Sequence, residues 1–361
     1  MLAYWLGRSG RSVRLLERGQ PGQEASGAYA GLLTTIAEGS GDGPYLRLSQ
    51  QGLLSLQETI GTLEEETGID IGLVHGELVR VAASKEEGAK LHSYWQQQRE
   101  QGSSSEWWLQ ETLRAREAAF SPRVEGAIYS AREYHVVPAR LLQATLTAAQ
   151  RYGVKLETEI AVTRLLTDGK RVIGVEETTG RKYLAGQVVL ASGAWTGILV
   201  KQLGVQLQLV PQRGQMLILA PHDFSLSFIV NTAWGYIVPK PDGTVVVGAT
   251  QENVGFVKEV TAAGIAHLLR ILTVLPPLMQ CAIVQTFVGL RPVSVDGMPL
   301  LGPVPGWDGL FLATGHSQHG ILLSDITARM LAAHLNGEDA GELWPAFQAK
   351  RAVSPLEAKE G

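Results

Sequence analysis

Apolar positions along the chain follow two periods, and each predicts elements. Between Pro138 and Gly153, Leu141, Leu142, Leu146 and Ala149 fall on one side of an amphipathic helix that Gly153 can cap. Leu322, Ile326 and Met330 repeat that spacing in a helix opened by Gly320. Residues 45–67 read as one or two helices with a solvated acidic end at Glu64 to Glu66. Shorter runs predict strands: Val13 to Leu16, the alternating GELVRVAAS, Gln187 to Ala191 and Leu310 to Ala313. The continuous run VVLA suits a strand buried on both faces. From Val154 to Trp195 successive strands turn at Asp168-Gly169 and Thr179-Gly180. From Val205 to Gln285 the pattern is antiparallel with one helix, and LVPQRGQMLILA, TAWGYIVPKPDGTVVVGAT and AIVQTFVGLRP should share a sheet. Lys85 to Glu117 reads as polar helix broken at GSSSE, placing Trp107 and Trp108 on a helix packed on the second domain.

Composition narrows the class. The 361 residues suffice for two domains, and 45% hydrophobic with 18% charged is ordinary for a globular enzyme. A formal charge of −4 favours neither nucleic acid nor an anionic membrane as partner. Cys281 is the single cysteine, which excludes an internal disulfide, and its apolar neighbours predict a buried, inert thiol. No run of about 18 apolar residues or signal peptide is present, so a cytoplasmic protein is expected. With no internal repeat or long linker, the two domains must interleave.

The last quarter carries the chemistry. Arg291 is pinned between Leu290 and Pro292, and the strand at Leu310 runs through the loop GHSQHG into a helix. Unpaired N–H groups at such a loop bind an anion or a ring edge, while an arginine nearby can grip a carboxylate with two parallel hydrogen bonds. A structural salt bridge is the plainer role for Arg291. GHSQHG is not a nucleophile elbow, because His319 stands where G-x-S-x-G needs its second glycine. His316 and His319 have helical metal spacing but no third ligand cluster, and metal is not expected. At the other end of the chain, Glu17 closes a strand, as the carboxylate that accepts adenosine ribose hydroxyls does in dinucleotide folds.

These segments, with VRLLERG, EASGAYAGLL, YHVVPARLLQATLTAAQRYGVKL, VVLASGAWTG and GYIVPKPDGTVVVGAT, follow one order over most of the chain. That order resembles the glycine oxidase and D-amino-acid oxidase family of FAD-dependent amine oxidases. The resemblance implies an α/β (α+β overall) fold with a Rossmann-type FAD-binding domain at 1–50, 135–204 and 285–361. A mixed-sheet substrate domain would take 51–134 and 205–284. It implies FAD contacts at Glu17, Ser26, Ala30, Gly31, Leu32, Val162, Ser192, Gly193, Trp195, His316, Ser317, His319, Gly320, Ile321 and Leu322. Arg291 and Tyr236 would meet the substrate carboxylate, with Trp234 on the same strand face lining the pocket. Gln318 stands where glycine oxidases commonly carry a second arginine, which leaves glycine, sarcosine, other small amino acids and proline-like imino acids all in play. The implied activity is oxidative deamination with oxygen or another electron acceptor, in glycine oxidases a supply of imine to thiamine biosynthesis. Homo-oligomers are left open.

One departure is large. The first residues read as the back half of a helix, a turn at Gly7 to Gly10 and the strand ending at Glu17, with no G-x-G-x-x-G anywhere. The family's first strand and glycine-rich turn are thus lacking, and the chain reads as N-terminally truncated. A misplaced start is favoured over gene decay or a substitute device, since the other motifs are intact. Charge-assisted hydrogen bonds of about 1.5–3 kcal/mol each would be lost with the turn, so an inactive homologue unable to bind FAD is an alternative.

Overall fold

A computed structural model of the protein describes residues 1–34, 43–100, 102–221 and 224–356; the remaining parts of the expected domains lie outside the described residues. The chain runs α1 (Leu2–Arg8), β1 (Arg14–Leu16), α2 (Pro44–Thr67), β2 (Val74–Ala82), α3 (Lys85–Glu100), β3 (Glu106–Leu109), α4 (Gln110–Arg116), β4 (Gly126–His135) and α5 (Pro138–Arg151). Short strands follow: β5 (Lys155–Glu157), β6 (Val162–Asp168), β7 (Arg171–Glu177), β8 (Lys182–Leu184) and β9 (Val188–Leu190), then α6 (Thr196–Lys201). Next come β10 (Val205–Leu207), β11 (Leu209–Ala220), β12 (Phe228–Thr232), β13 (Gly235–Pro239), β14 (Val245–Gly248), α7 (Ala262–Ile271) and β15 (Ala282–Ser294). The chain closes with β16 (Leu300–Pro303), β17 (Leu310–Thr314), α8 (Ser324–Asn336), α9 (Trp344–Phe347) and β18 (Val353–Pro355), which pairs with β10.

Eight strands form one mixed sheet in the order β15-β11-β14-β13-β12-β2-β4-β3, antiparallel except at β12–β2. Its strands alternate as a two-faced sheet must. Val79, Leu217, Val230, Ile237 and Val247 face one core with Leu268 and Ile271 of α7. Leu78, Met216, Ile229, Val238 and Val246 face the other way, onto Ala30 and Leu32. At about 25 cal/mol per Å² of apolar surface, two such layers are what holds the sheet between its neighbours.

The parallel strands lie elsewhere. β1 pairs with β5, and β9 pairs with β17, which carries β16 on its other side. Among the described residues, β1 and β9 each have one hydrogen-bonded neighbour strand. Helices α1, α2, α5 and α8 pack together beside them around Tyr4, Leu56, Ile60, Leu141 and Leu331.

Several expectations shift. Trp107 and Trp108 lie on edge strand β3, not a helix; Trp108 stacks on Tyr129 with centroids 3.9 Å apart. Cross-strand aromatic packing outweighs the polar, helical look of their neighbours. Gly7 lies within α1 rather than in the turn, and a Cβ there would stand 2.9 Å from Val154 Cγ2, so glycine lets the helix approach the residue ahead of β5. Leu142 and Leu146 are half-buried, while Ala144, Thr145 and Ala148 join Leu141 and Ala149 on the buried face. The expected domain limit at 50/51 cuts α2, whose buried residues pack as one piece on the helix layer. Cys281 is half-buried, its Sγ 3.7 Å from the Pro277 carbonyl, so it is less enclosed than its apolar neighbours suggest.

Candidate active site

The loops after β1, β9 and β17 carry most of the expected cofactor residues, as parallel strands present ligand sites at their carboxyl ends. After β1, the Glu17 carboxylate accepts the Gly19 N–H at 2.9 Å, and the Glu17 carbonyl accepts the Ile160 N–H at 2.9 Å. That bond brings Val162, at the start of β6, close to Glu17. Arg18 lies 3.7 Å from the centre of the Trp195 ring, joining the end of β1 to the turn after β9. In that turn Ser192 Oγ and Thr196 Oγ1 are 3.1 Å apart, and the Gly193 carbonyl accepts from Thr196 and Thr314 hydroxyls. The latter bond ties β9's end to β17's.

Beyond β17, Gly315 turns the chain with φ +77° and Ser317 takes a left-handed φ of 49° that is strained for a side-chain residue. His316 Nε2 is 3.1 Å from Thr327 Oγ1, and burial pushes its imidazole down to about 4, so the ring is neutral. His319 Nδ1 meets Tyr45 Oη at 2.6 Å. The helix expected from Gly320 begins at Ser324. Gly320 and Leu323 have helical dihedrals and Leu323 N bonds His319 O, but the Ser324 N–H bonds Ile321 O and tightens the turn. The N–H groups of Ile321 and Leu322 donate to no acceptor among the described residues.

The loop after Glu24 passes under the large sheet. Ala28 presses on Gly289 of β15, where a Cβ would come within 2.8 Å of Ala28 Cβ. Ser26 is exposed on this loop, and the structure does not bring its side chain into the interior. Gly31, at φ +77°, would drive a Cβ to 2.2 Å from the Val136 carbonyl. Leu33 N and Gly31 O bond Tyr134 and Val136, while Ala30, Gly31 and Leu32 keep N–H groups with no acceptor among the described residues. Lys240 anchors the loop by donating to the carbonyls of Ala30 and Val136, and burial lowers its amine to about 8. Sequence reasoning missed this lysine, although it stands inside the quoted GYIVPKPDG.

Facing the loop is the sheet surface that holds Tyr236 and Arg291. Arg291 Nη1 donates to the Thr250 carbonyl at 3.0 Å, and its other donors have no acceptor among the described residues. No carboxylate pairs with Arg291 among the described residues. Its guanidinium lies over Gly214, where a Cβ would come within 2.4 Å of Nη1. Thr250 is itself locked: its hydroxyl accepts from Gln215 N and donates to Glu252, which also accepts from Gln215 and Arg213. Burial alone would raise Glu252, but these hydrogen bonds prevail and hold it down to about 2. Tyr236 Oη approaches Met216 Sδ at 3.5 Å beside Gly248, whose absent side chain leaves room for the ring. Burial raises the Tyr236 phenol and the positive charge of Arg291 draws it partly back, so the two groups act on each other. Trp234 does not join them. It sits in the β12–β13 turn, under Arg270 of α7 at 4.1 Å, because the turn breaks the alternation that would have aligned it with Tyr236. Gln318 lies in the turn Ser317–His319 that packs against β15, where Val293 bridges His316. No cluster of three or more His, Cys, Asp or Glu that could hold a metal occurs among the described residues.

The open donors on two loops, the glycines that permit close approach and the neutral His316 fit a flat, hydrogen-bonding ring laid between loop and sheet. Comparison with known proteins agrees. The profile of the family described as FAD dependent oxidoreductase, DAO, matches residues 1–334. The chain belongs to that family. It is a Rossmann-type FAD-binding oxidoreductase and an amino acid or amine oxidase by class. Glycine oxidase of Geobacillus kaustophilus is 32% identical over 92% of this chain and 88% of its own. Glycine oxidase of Pseudomonas aeruginosa is 30% identical, covering 94% and 92%. The bifunctional protein ThiO/ThiG of Trichormus variabilis is 30% identical over 98% of this chain and 54% of its own. The crystal structure of the Geobacillus kaustophilus glycine oxidase superposes with a TM-score of 0.88, over 97% of this DAO-family chain and 95% of that one. No helix among the described residues is long and apolar enough to cross a membrane.

Proposed function

We propose that the protein oxidises a small amino acid or secondary amine at the α-carbon, giving an imine that water hydrolyses to an oxo acid. The observation that carries this reading is Arg291, a guanidinium with open donors held beside the buried phenol of Tyr236. Bound FAD would supply the hydride acceptor and the route for electrons to oxygen or another carrier. The chain's own residues bind and orient. Arg291 grips the substrate carboxylate, Tyr236 Oη donates to it, and the apolar sheet face around Met216 excludes water. The Ile321 and Leu322 N–H groups would face the electron-rich edge of the flavin, and the loop Ala30–Leu32 would support its ring. Glu17 and Val162 would hold the adenosine end, and Ser192, Gly193, Trp195, His316, Ser317, His319 and Gly320 would line the cofactor's path, with the exposed Ser26 side chain outside it. The cofactor domain is drawn from 1–50, 135–204 and 285–361, with all of α2 added to it.

Gln318 can hydrogen-bond a substrate but brings no charge, which widens the substrate set from glycine to sarcosine and cyclic imino acids. Likeness to glycine oxidases and to ThiO supports a role in supplying an imine to thiamine biosynthesis. The test is the visible spectrum of the purified protein before and after anaerobic glycine, sarcosine or D-proline. A yellow protein bleached by one of these is expected; a colourless protein, or one that no amine bleaches, would overturn the reading.

A further inference from the structure

Between β14 and α7, residues 251–260 leave the sheet and span to the far side of the site. Both feet of this span are held in the core by one side chain. Gln215 is 0% exposed, and its N–H donates to Thr250 Oγ1 at 2.9 Å. Its side-chain amide takes the other foot: the Thr261 N–H donates to Oε1 at 2.8 Å, and Nε2 donates to Thr261 Oγ1 at 3.1 Å. Glu252 strengthens the first foot with the Arg213 ion pair at 2.6 Å.

Between the feet the chain is held differently. Every residue from Asn253 to Val260 is exposed, and Gly255 turns the tip at φ +64°. The tip is fastened to the cofactor side instead. Lys258 Nζ donates to Glu24 Oε2 at 2.8 Å and to the Gln23 carbonyl at 2.9 Å. Phe256 meets the Trp195 ring with centroids 5.8 Å apart, yet stays 44% exposed. Glu24 also pairs with Arg18, which lies over Trp195, so both fastenings fall on one patch.

The span crosses one side of the gap that holds Arg291. Just after Glu24, Ala25 and Ala28 press on Gly289 of β15. Gly289 stands directly opposite Gly214 across β11–β15, and the Arg291 guanidinium lies over Gly214. The guanidinium is therefore between sheet and loop. The Thr250 carbonyl that accepts from it belongs to the first foot, while Glu24 of the loop receives the tip. Firm feet, an exposed middle and a fastening of surface contacts describe a segment that opens at low cost.

We propose that residues 253–259 are a gate on the route to Arg291, latched by Lys258 on Glu24 and Phe256 on Trp195, and opening about Thr250 and Thr261. This rests on the reading of Arg291 as the carboxylate clamp. The gate makes no bond to the substrate. It sets the fraction of time the site is open, so it scales entry and exit alike and leaves affinity as it was.

The experiment follows propionate, a carboxylate with no amine to oxidise, binding to the FAD-loaded enzyme by stopped-flow flavin absorbance. Lys258→Met and Glu24→Gln should each raise the association and dissociation rate constants together by about 2- to 5-fold, the range of an exposed ion pair, with Kd unchanged. Phe256→Ala should act in the same way. The double variant Lys258→Met/Glu24→Gln should gain little beyond either single one. Because the two substitutions change charge in opposite senses, steering of the anion would move association in opposite directions. That pattern, a change in dissociation alone, or unchanged rates overturns the gate and leaves the clamp standing. Propionate that does not perturb the flavin spectrum at all overturns the clamp and the gate together.

Discussion

The two faces of the eight-stranded sheet come from the same strands, residue by residue, yet do different work. One face carries Leu217, Val230, Ile237 and Val247 and is closed by α7. The other carries Met216, Asn231, Tyr236 and Arg80 and stays polar in places. Side-chain alternation separates stability from chemistry at the resolution of single residues. A substitution at one position should damage the fold, and at the next should damage only the reaction.

The sharpest way to break this division is Arg291→Ala. It should lower kcat/KM for amino acids by about 10²–10³-fold, chiefly through KM, with bound flavin and melting temperature unchanged. Steady-state kinetics decide it, and activity that survives sinks the carboxylate clamp. On the opposite face, Ile237→Ala should cost about 2–5 kcal/mol in denaturant unfolding while KM in the folded fraction stays put. A large KM change there would mean that the faces are not independent. Gly214→Ala tests the seam. The added methyl meets the Arg291 guanidinium, so a loss of roughly 10-fold or more in kcat/KM is expected with little change in stability.

Acid–base behaviour sharpens the comparison further. Burial holds the folded Glu133 carboxyl above its unfolded value, so the fold retains a proton that the unfolded chain releases. Stability from this group is therefore lost as pH rises from the usual carboxylate range through about 7, and is level beyond. Glu133→Gln should remove that slope, gaining about 1–3 kcal/mol over the parent at pH 8 and nothing at pH 4. Parallel melting curves across that range would refute it. The smallest effect is expected at Tyr236→Phe, about 10-fold in kcat/KM for the loss of one hydrogen bond to the carboxylate.

How much of this was legible beforehand depends on distance along the chain. The run Leu209 to Ala220 reads as a strand and is one, since its apolar stretch Met216–Ala220 is a local signal. The glycine after β17 and the turn Ser317–His319 are marked by composition. Trp234 was misplaced because its strand bends into a turn one residue earlier. The lock around Arg291, from Gln215 through Thr250 to Glu252, is invisible in any window of sequence. Arg80 and Glu133 were unseen for the same reason: only the pairing of β2 with β4 and β12 gathers them, and register is a tertiary property.

Lys240 has a mechanical consequence. One ammonium spans from the sheet strand just past β13 to the carbonyls of Ala30 and Val136. It ties the sheet face proposed to grip the substrate to the loop proposed to support the oxidising ring. Reaction geometry is then kept by stiffness at a single junction rather than by closure of the whole protein around the amine. Warming that loosens this strut should uncouple the two halves of the proposed reaction while the eight-stranded sheet is still intact.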